Sequence, residues 1–175
     1  MLYALNKYQG SYAIELSKPS LCWIMVSNAI GLCISLGYHR YSTMKDDTNE
    51  QRTAKIYAFW FLYTLDKNLS LRLGRAPSIQ DWDIALPYPT MQNMVDPHAP
   101  TPPILDSIVY WIKLAQIQGK TYELLFSPVA FLKSKEERER ISADLVNQLN
   151  QQWSERGEVF YSVLFSGNVF TIDVQ

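Results

Sequence analysis

Apolar residues recur at three- and four-residue spacing along most of the chain, and no stretch reads as a strand hairpin, which predicts an all-α protein. The first ten residues, MLYALNKYQG, read as the tail of a helix stopped by Gly10, so the domain is expected to begin upstream of Met1. Ser17, ahead of Lys18-Pro19, is a suitable N-cap with proline in the first turn. From there Leu21, Ile24, Met25, Ala29, Leu32, Cys33 and Leu36 predict a helix over about 18–36, closed by Gly37. Because this helix is nearly all apolar, it is expected to be buried.

A polar loop from Tyr41 to Thr48 leads to a second helix over about 49–73, whose stripe is Ile56, Phe59, Trp60, Tyr63, Leu65, Leu69 and Leu73. Gly74 is placed to supply the left-handed residue that ends it. Between Arg75 and Pro103 prolines are too frequent for a helix interior: Pro77, Pro87, Pro89, Pro97, Pro100, Pro102 and Pro103. Trp82, Ile84, Leu86 and Tyr88 alternate with polar positions there, as in a long ordered loop pinned to the helices. A third helix is expected over about 104–126, ending before Pro128. Ser134 and Glu137 form a capping box for a fourth, over about 135–156 up to Gly157, carrying Ile141, Leu145, Leu149 and Trp153. The charged start KSKEERER reads as a solvated face, and the apolar tail from Val159 to Gln175 suggests that the core continues past the last residue. The architecture expected is one domain over 1–175, an array of packed antiparallel helices with a long proline-rich ordered loop.

Composition narrows the function. With 47% hydrophobic and 19% charged residues the chain can bury a core, and a net charge of -1 leaves no broad cationic surface for nucleic acid. Direct DNA contact by this segment is not expected. No apolar run is long enough to span a membrane. Cys22 and Cys33 lie eleven residues apart in one expected helix, roughly 16 Å along its axis, too far for a disulfide or a shared metal. Two cysteines without a framework fit a reducing compartment.

The chemistry-bearing residues are sparse. There is no phosphate-binding glycine loop, metal-binding histidine pair or nucleophile elbow, so no catalytic, cofactor or metal residue is assigned. His39, just beyond Gly37, is read as satisfying terminal carbonyls of the first helix, and His98 lies on a separate loop. Asp66, Asp81 and Asp83 are read as pairing with Arg72 and Arg75 or accepting loop backbone donors, since a calcium loop would need more oxygen ligands and a turn glycine. The 13% aromatic fraction sits at helical spacing and reads as core.

One segment is more specific. Phe59 to Pro89 reads FWFLYTLDKNLSLRLGRAPSIQDWDIALPYP, and it resembles the signature of the fungal-specific transcription factor domain, the middle homology region of zinc binuclear cluster regulators. Trp60, Leu65, Asp66, Ser70, Leu73, Gly74, Arg75, Pro77, Ile79, Asp83, Ile84, Leu86 and Pro87 fall on it in order. Upstream, Ala29 and Leu36 to Arg40, LGYHR, match the apolar helix that precedes it, and the resemblance is strongest over 12–89. It implies structural roles for Trp60, Asp66, Leu73, Gly74, Arg75, Pro77 and Asp83; independently of the resemblance, Arg72 or Arg75 is placed to bond the last helix carbonyls or Asp83. It further implies a nuclear regulatory domain whose partners are co-regulator proteins or a paralogous transcription factor, with a small-molecule effector. Zinc would belong only to an N-terminal DNA-binding module not present in this sequence. Two other readings stand beside it: a truncated helical scaffold or dominant-negative interaction protein, and a small helical enzyme or ligand carrier with a pocket near Trp60 and Trp82.

Overall fold

The computed structural model of the protein describes residues 18–93 and 102–165. The expectations for residues 1–10, Ser17, Pro97, His98, Pro100 and the last residues after Phe165 lie outside them. Four α-helices run in the described residues: α1 (Pro19–Ser35), α2 (Asn49–Leu73), α3 (Pro102–Thr121) and α4 (Lys135–Phe165). The expected all-α class is what forms, and the extended pairing among the described residues is a single parallel bridge between Arg40 and Ala85. No helix among the described residues is long and apolar enough to cross a membrane.

α1 starts with Lys18 at the N-cap, which forms no side-chain cap; its carbonyl accepts the Leu21 and Cys22 amides, each at 3.1 Å, while Pro19 sits where a missing N–H costs nothing. At the other end Gly37 has φ 76°, and Tyr38 N–H bonds the Cys33 carbonyl at 2.8 Å. α2 closes by the same device: Gly74 has φ 63°, its N–H reaches the Leu71 carbonyl, and Arg75 N–H reaches that of Ser70 at 2.8 Å. A full capping box starts α2, with the Thr48 hydroxyl accepting the Gln51 amide and the Gln51 side chain accepting Thr48 N–H.

Two helix boundaries were set otherwise than the glycine and proline pattern suggested. Pro102 and Pro103 belong to the first turn of α3, the one part of a helix that tolerates them, rather than to the loop. α4 runs through Gly157 to Phe165, because a glycine ends a helix only where the chain takes the left-handed turn, and otherwise costs about 1 kcal/mol that neighbouring turns absorb. α3 passes into a π turn over Tyr122–Phe126, and Ser127, preceding Pro128, is extended as that proline requires. The Ser134 hydroxyl accepts the Glu137 amide at 3.1 Å, as its sequence position predicts for the start of α4.

α2 packs against α1 on one side and α3 on the other, and α4 packs on α3. Trp23 lies against Ser70 while Tyr38 lies against Lys55, so α1 and α2 run antiparallel. The core is built from Cys22, Val26, Ile30, Ile56, Phe59, Tyr63, Leu69 and Ile112, with Ile79 and Leu86 of the proline-rich loop inside it. Over its described residues, 75–93, the loop is pinned as expected. The core also corrects the burial expected of α1: Leu21, Ile24, Leu32 and, at the C-cap, Leu36, four of the seven apolar residues that marked the helix, face outward, and the buried face is Cys22, Val26, Ala29, Ile30 and Cys33. A helix apolar all round gives no phase, so periodicity could not tell which face the core takes.

Candidate functional site

The signature residues converge on the C-terminal half of α2 and the loop that follows it. Leu73 is the last residue of α2 and is half-buried; Gly74 then turns the chain so that the loop runs back along the helix. Asp66, fully buried, receives the returning loop: its Oδ2 accepts the Ser78 amide at 2.8 Å and the Ile79 amide at 3.3 Å. One carboxylate thus satisfies two consecutive backbone donors that no helix or sheet would pair. Burial pushes the Asp66 carboxyl above its ordinary range, and the hydrogen bonds from Ser78 and Ile79 and the charge of Lys67 oppose that shift.

Lys67 performs the complementary task. It is 3% exposed, and its Nζ donates to the Ile79 carbonyl at 2.9 Å and pairs with Asp81 Oδ1 at 2.8 Å. The same Asp81 oxygen accepts the Tyr63 hydroxyl at 2.9 Å. Burial and the Asp81 carboxylate drive the Tyr63 phenol far above its usual range, so it remains a donor. Further along, the Trp60 indole N–H bonds the Pro87 carbonyl at 3.0 Å and packs edge-on to Phe59 and Tyr63. The loop is therefore fastened at Ser78, Ile79, Asp81 and Pro87, each time by a side chain of α2.

The expected arginine pairings are not what forms. Arg75 lies over the Trp23 ring at 4.7 Å, fastening α1 to the end of α2. Asp81 takes Lys67, and Asp83 takes Arg40 at 3.2 Å, so Arg72 and Arg75 at the end of the helix are replaced by a cation earlier in it and one on the α1–α2 loop. The reason is direction: the left-handed turn at Gly74 sends the loop back over the α2 face that carries Asp66 and Lys67, away from Arg72 and Arg75. Pro77 fixes the start of that return, and its carbonyl accepts the Gln80 amide group at 3.2 Å.

His39 is also placed otherwise than expected. It caps no helix carbonyl: the imidazole is buried, neither ring nitrogen has a hydrogen-bond partner among the described residues, and Asp83 Oδ2 stands 4.0 Å from Nε2. Its backbone carbonyl instead accepts the Ala85 amide at 2.8 Å, next to the Tyr41 amide bonding Ala85 at 3.0 Å, and these two bonds draw the loop onto the end of α1.

Trp60 and Trp82 do not share a pocket. Trp60 is 2% exposed, whereas Trp82, in the short turn Asp81–Asp83, is 78% exposed. Trp82 instead borders a cleft of about 290 Å³ between the loop and the α3 end, lined also by Lys67, Asp81, Gly119, Tyr122 and Glu123. Gly119 makes the cleft floor possible, since a Cβ there would stand 2.9 Å from Lys67 Cδ. Sequence patterning missed Lys67 and Glu123; the one available signal for Lys67 was a charged pair, Asp66-Lys67, lying within an apolar stripe.

Two Schizosaccharomyces pombe proteins, both described as uncharacterized transcriptional regulatory proteins, are 33% identical over 79 residues and 27% identical over 108 residues. These alignments take in 45% and 61% of this chain and 10% and 13% of the relatives. The Candida glabrata negative regulator of pleiotropic drug resistance is 27% identical over 154 residues, 85% of this chain and 15% of its own length. The chain thus spans less than a sixth of the length of the curated relatives it matches. No solved structure matches it. Residues 8–156, most of the chain and all of the latch just described, match the fungal specific transcription factor domain, and the chain belongs to that family.

Proposed function

We propose that this chain is the regulatory region of a nuclear transcription factor controlling RNA polymerase II, acting through contacts with co-regulator proteins or a paralogous factor and with a small-molecule effector. DNA recognition would reside in a zinc module elsewhere in the protein, and this region would turn over no substrate. The observation that carries the reading is the family match over 8–156, seated on the loop latch of α2. The signature side chains are spent on one another and on loop backbone, as in a device that holds a shape. The relatives support the direction, since all three are described as regulators of transcription or of drug resistance.

A tripartite fusion tests it. The chain is placed between a heterologous DNA-binding domain and a constitutive activation domain in yeast, and reporter output is compared with the same fusion carrying a flexible spacer of equal length. The regulatory reading expects a several-fold change in output that is lost on Asp66→Ala. Output equal to the spacer fusion contradicts it. Repression of a full-length family member by the isolated chain supplied in trans would favour the dominant-negative reading instead.

A further inference from the structure

We propose that the cleft beside Trp82 is a binding site for a small organic cation, held between the Trp82 indole and the Glu123 carboxylate. The indole is the first reason. Trp82 is 78% exposed, more than Trp111 or Trp153 at 56% and 66%, although both of its neighbours are held. Asp81 is fixed by Tyr63 and Lys67 at 2.9 and 2.8 Å, and Asp83 by Arg40 at 3.2 Å. The backbone that carries the indole is thus held on both sides while the ring itself stays unpacked and open to a ligand.

Charge is the second. Three charged groups line the cleft, and Lys67 and Asp81 neutralise each other in a direct contact. Glu123 remains: its side chain is exposed and forms no hydrogen bond or ion pair among the described residues. An aromatic face with one uncompensated carboxylate selects a cation carrying apolar substituents, through attraction to the ring quadrupole and to the carboxylate together. Size is the third, because about 290 Å³ holds a molecule of roughly a dozen heavy atoms and sits at the small end of ligand sites.

The inference rests on reading the chain as a regulatory region, where such a cleft would admit an effector. Its test does not depend on transcription. Benzyltrimethylammonium is titrated into the full chain while the Trp82 indole N–H resonance is followed by NMR, with benzyl alcohol and benzoate as the neutral and anionic counterparts. The proposal expects saturable binding of the cation at least about tenfold tighter than either counterpart. Glu123→Gln should weaken it about tenfold and Trp82→Leu should remove it. Both side chains are exposed, so thermal unfolding of the variants should match the parent. Equal binding of benzyl alcohol, an unchanged affinity in Glu123→Gln, or no saturable binding of the cation each overturns the proposal. A successful titration alongside a silent reporter would instead sink the regulatory reading and leave the site standing.

Discussion

Asp66 is the point at which the returning loop meets the buried face of α2, and truncating it to alanine removes the acceptor for two backbone amides at once. Ile79 is 2% exposed, so its stranded N–H carries a desolvation cost of about 1–3 kcal/mol. Ser78 is exposed, and water can replace its lost partner at the cost of a net bond, about 1 kcal/mol. Together Asp66→Ala should destabilise the chain by about 2–4 kcal/mol, a large share of the stability of an ordinary domain. Asp66→Asn keeps a carbonyl acceptor for the same amides and removes a charge that burial penalises, so it should stay within about 1 kcal/mol of the parent. pH distinguishes the two causes. Since the folded-state carboxyl titrates above its unfolded value, its contribution is fully present below the unfolded pKa and is lost as pH rises through the folded pKa. The parent should therefore gain on Asp66→Asn as pH falls from neutrality toward 4. Urea unfolding of the three proteins at both pH values provides the numbers. Alanine and asparagine costing the same, or alanine costing less than about 1 kcal/mol, would refute the view that this carboxylate fastens the loop.

Two helical glycines should respond with opposite signs. A Cβ at Gly31 meets nothing within 4 Å, so Gly31→Ala should raise stability by about 0.5–1 kcal/mol, whereas at Gly119 it would stand 2.9 Å from the pinned Lys67 side chain, and thermal melts should show a net loss of about 1 kcal/mol or more. Gly74→Val should cost more than about 1 kcal/mol through backbone strain alone, as no atom lies within 4 Å of the new Cβ, and Gly74→Asn should recover much of that loss in the same melts. Burial holds the Cys33 thiol near a pKa of about 11 and also raises that of Cys22, so iodoacetamide at pH 8 should label neither appreciably until denaturant is added.

Helices were legible where a start or stop has a local cause: Gly37 and Gly74 take the left-handed conformation, and the Ser134 hydroxyl caps the Glu137 amide. The fold class and the pinned loop followed from the same signals. Other features depend on tertiary context. The outward face of α1 could not be told from its inward face when both are apolar, and Gly157 reads as a stop although the helix passes through it. Trp60, Asp66, Gly74, Arg75, Pro77 and Asp83 do gather around one loop, but their partners were legible only in part. Asp66 takes loop amides as a buried carboxylate must, while the choice of Lys67 for Asp81 and Arg40 for Asp83 depends on the direction in which the loop returns. Of the pocket read near Trp60 and Trp82 only the Trp82 part forms, and its other wall was not legible because it comes from residues some forty positions away.

The latch and the regulatory role are joined most directly by measuring reporter output from the tripartite fusion across the parent, Asp66→Asn, Gly74→Val and Asp66→Ala, set against the unfolding free energy of each chain. Regulation should persist in Asp66→Asn and fall away in Gly74→Val and Asp66→Ala in step with the loss of folded protein. Full regulation by a chain that has lost the latch, or none by the stable parent, would contradict it.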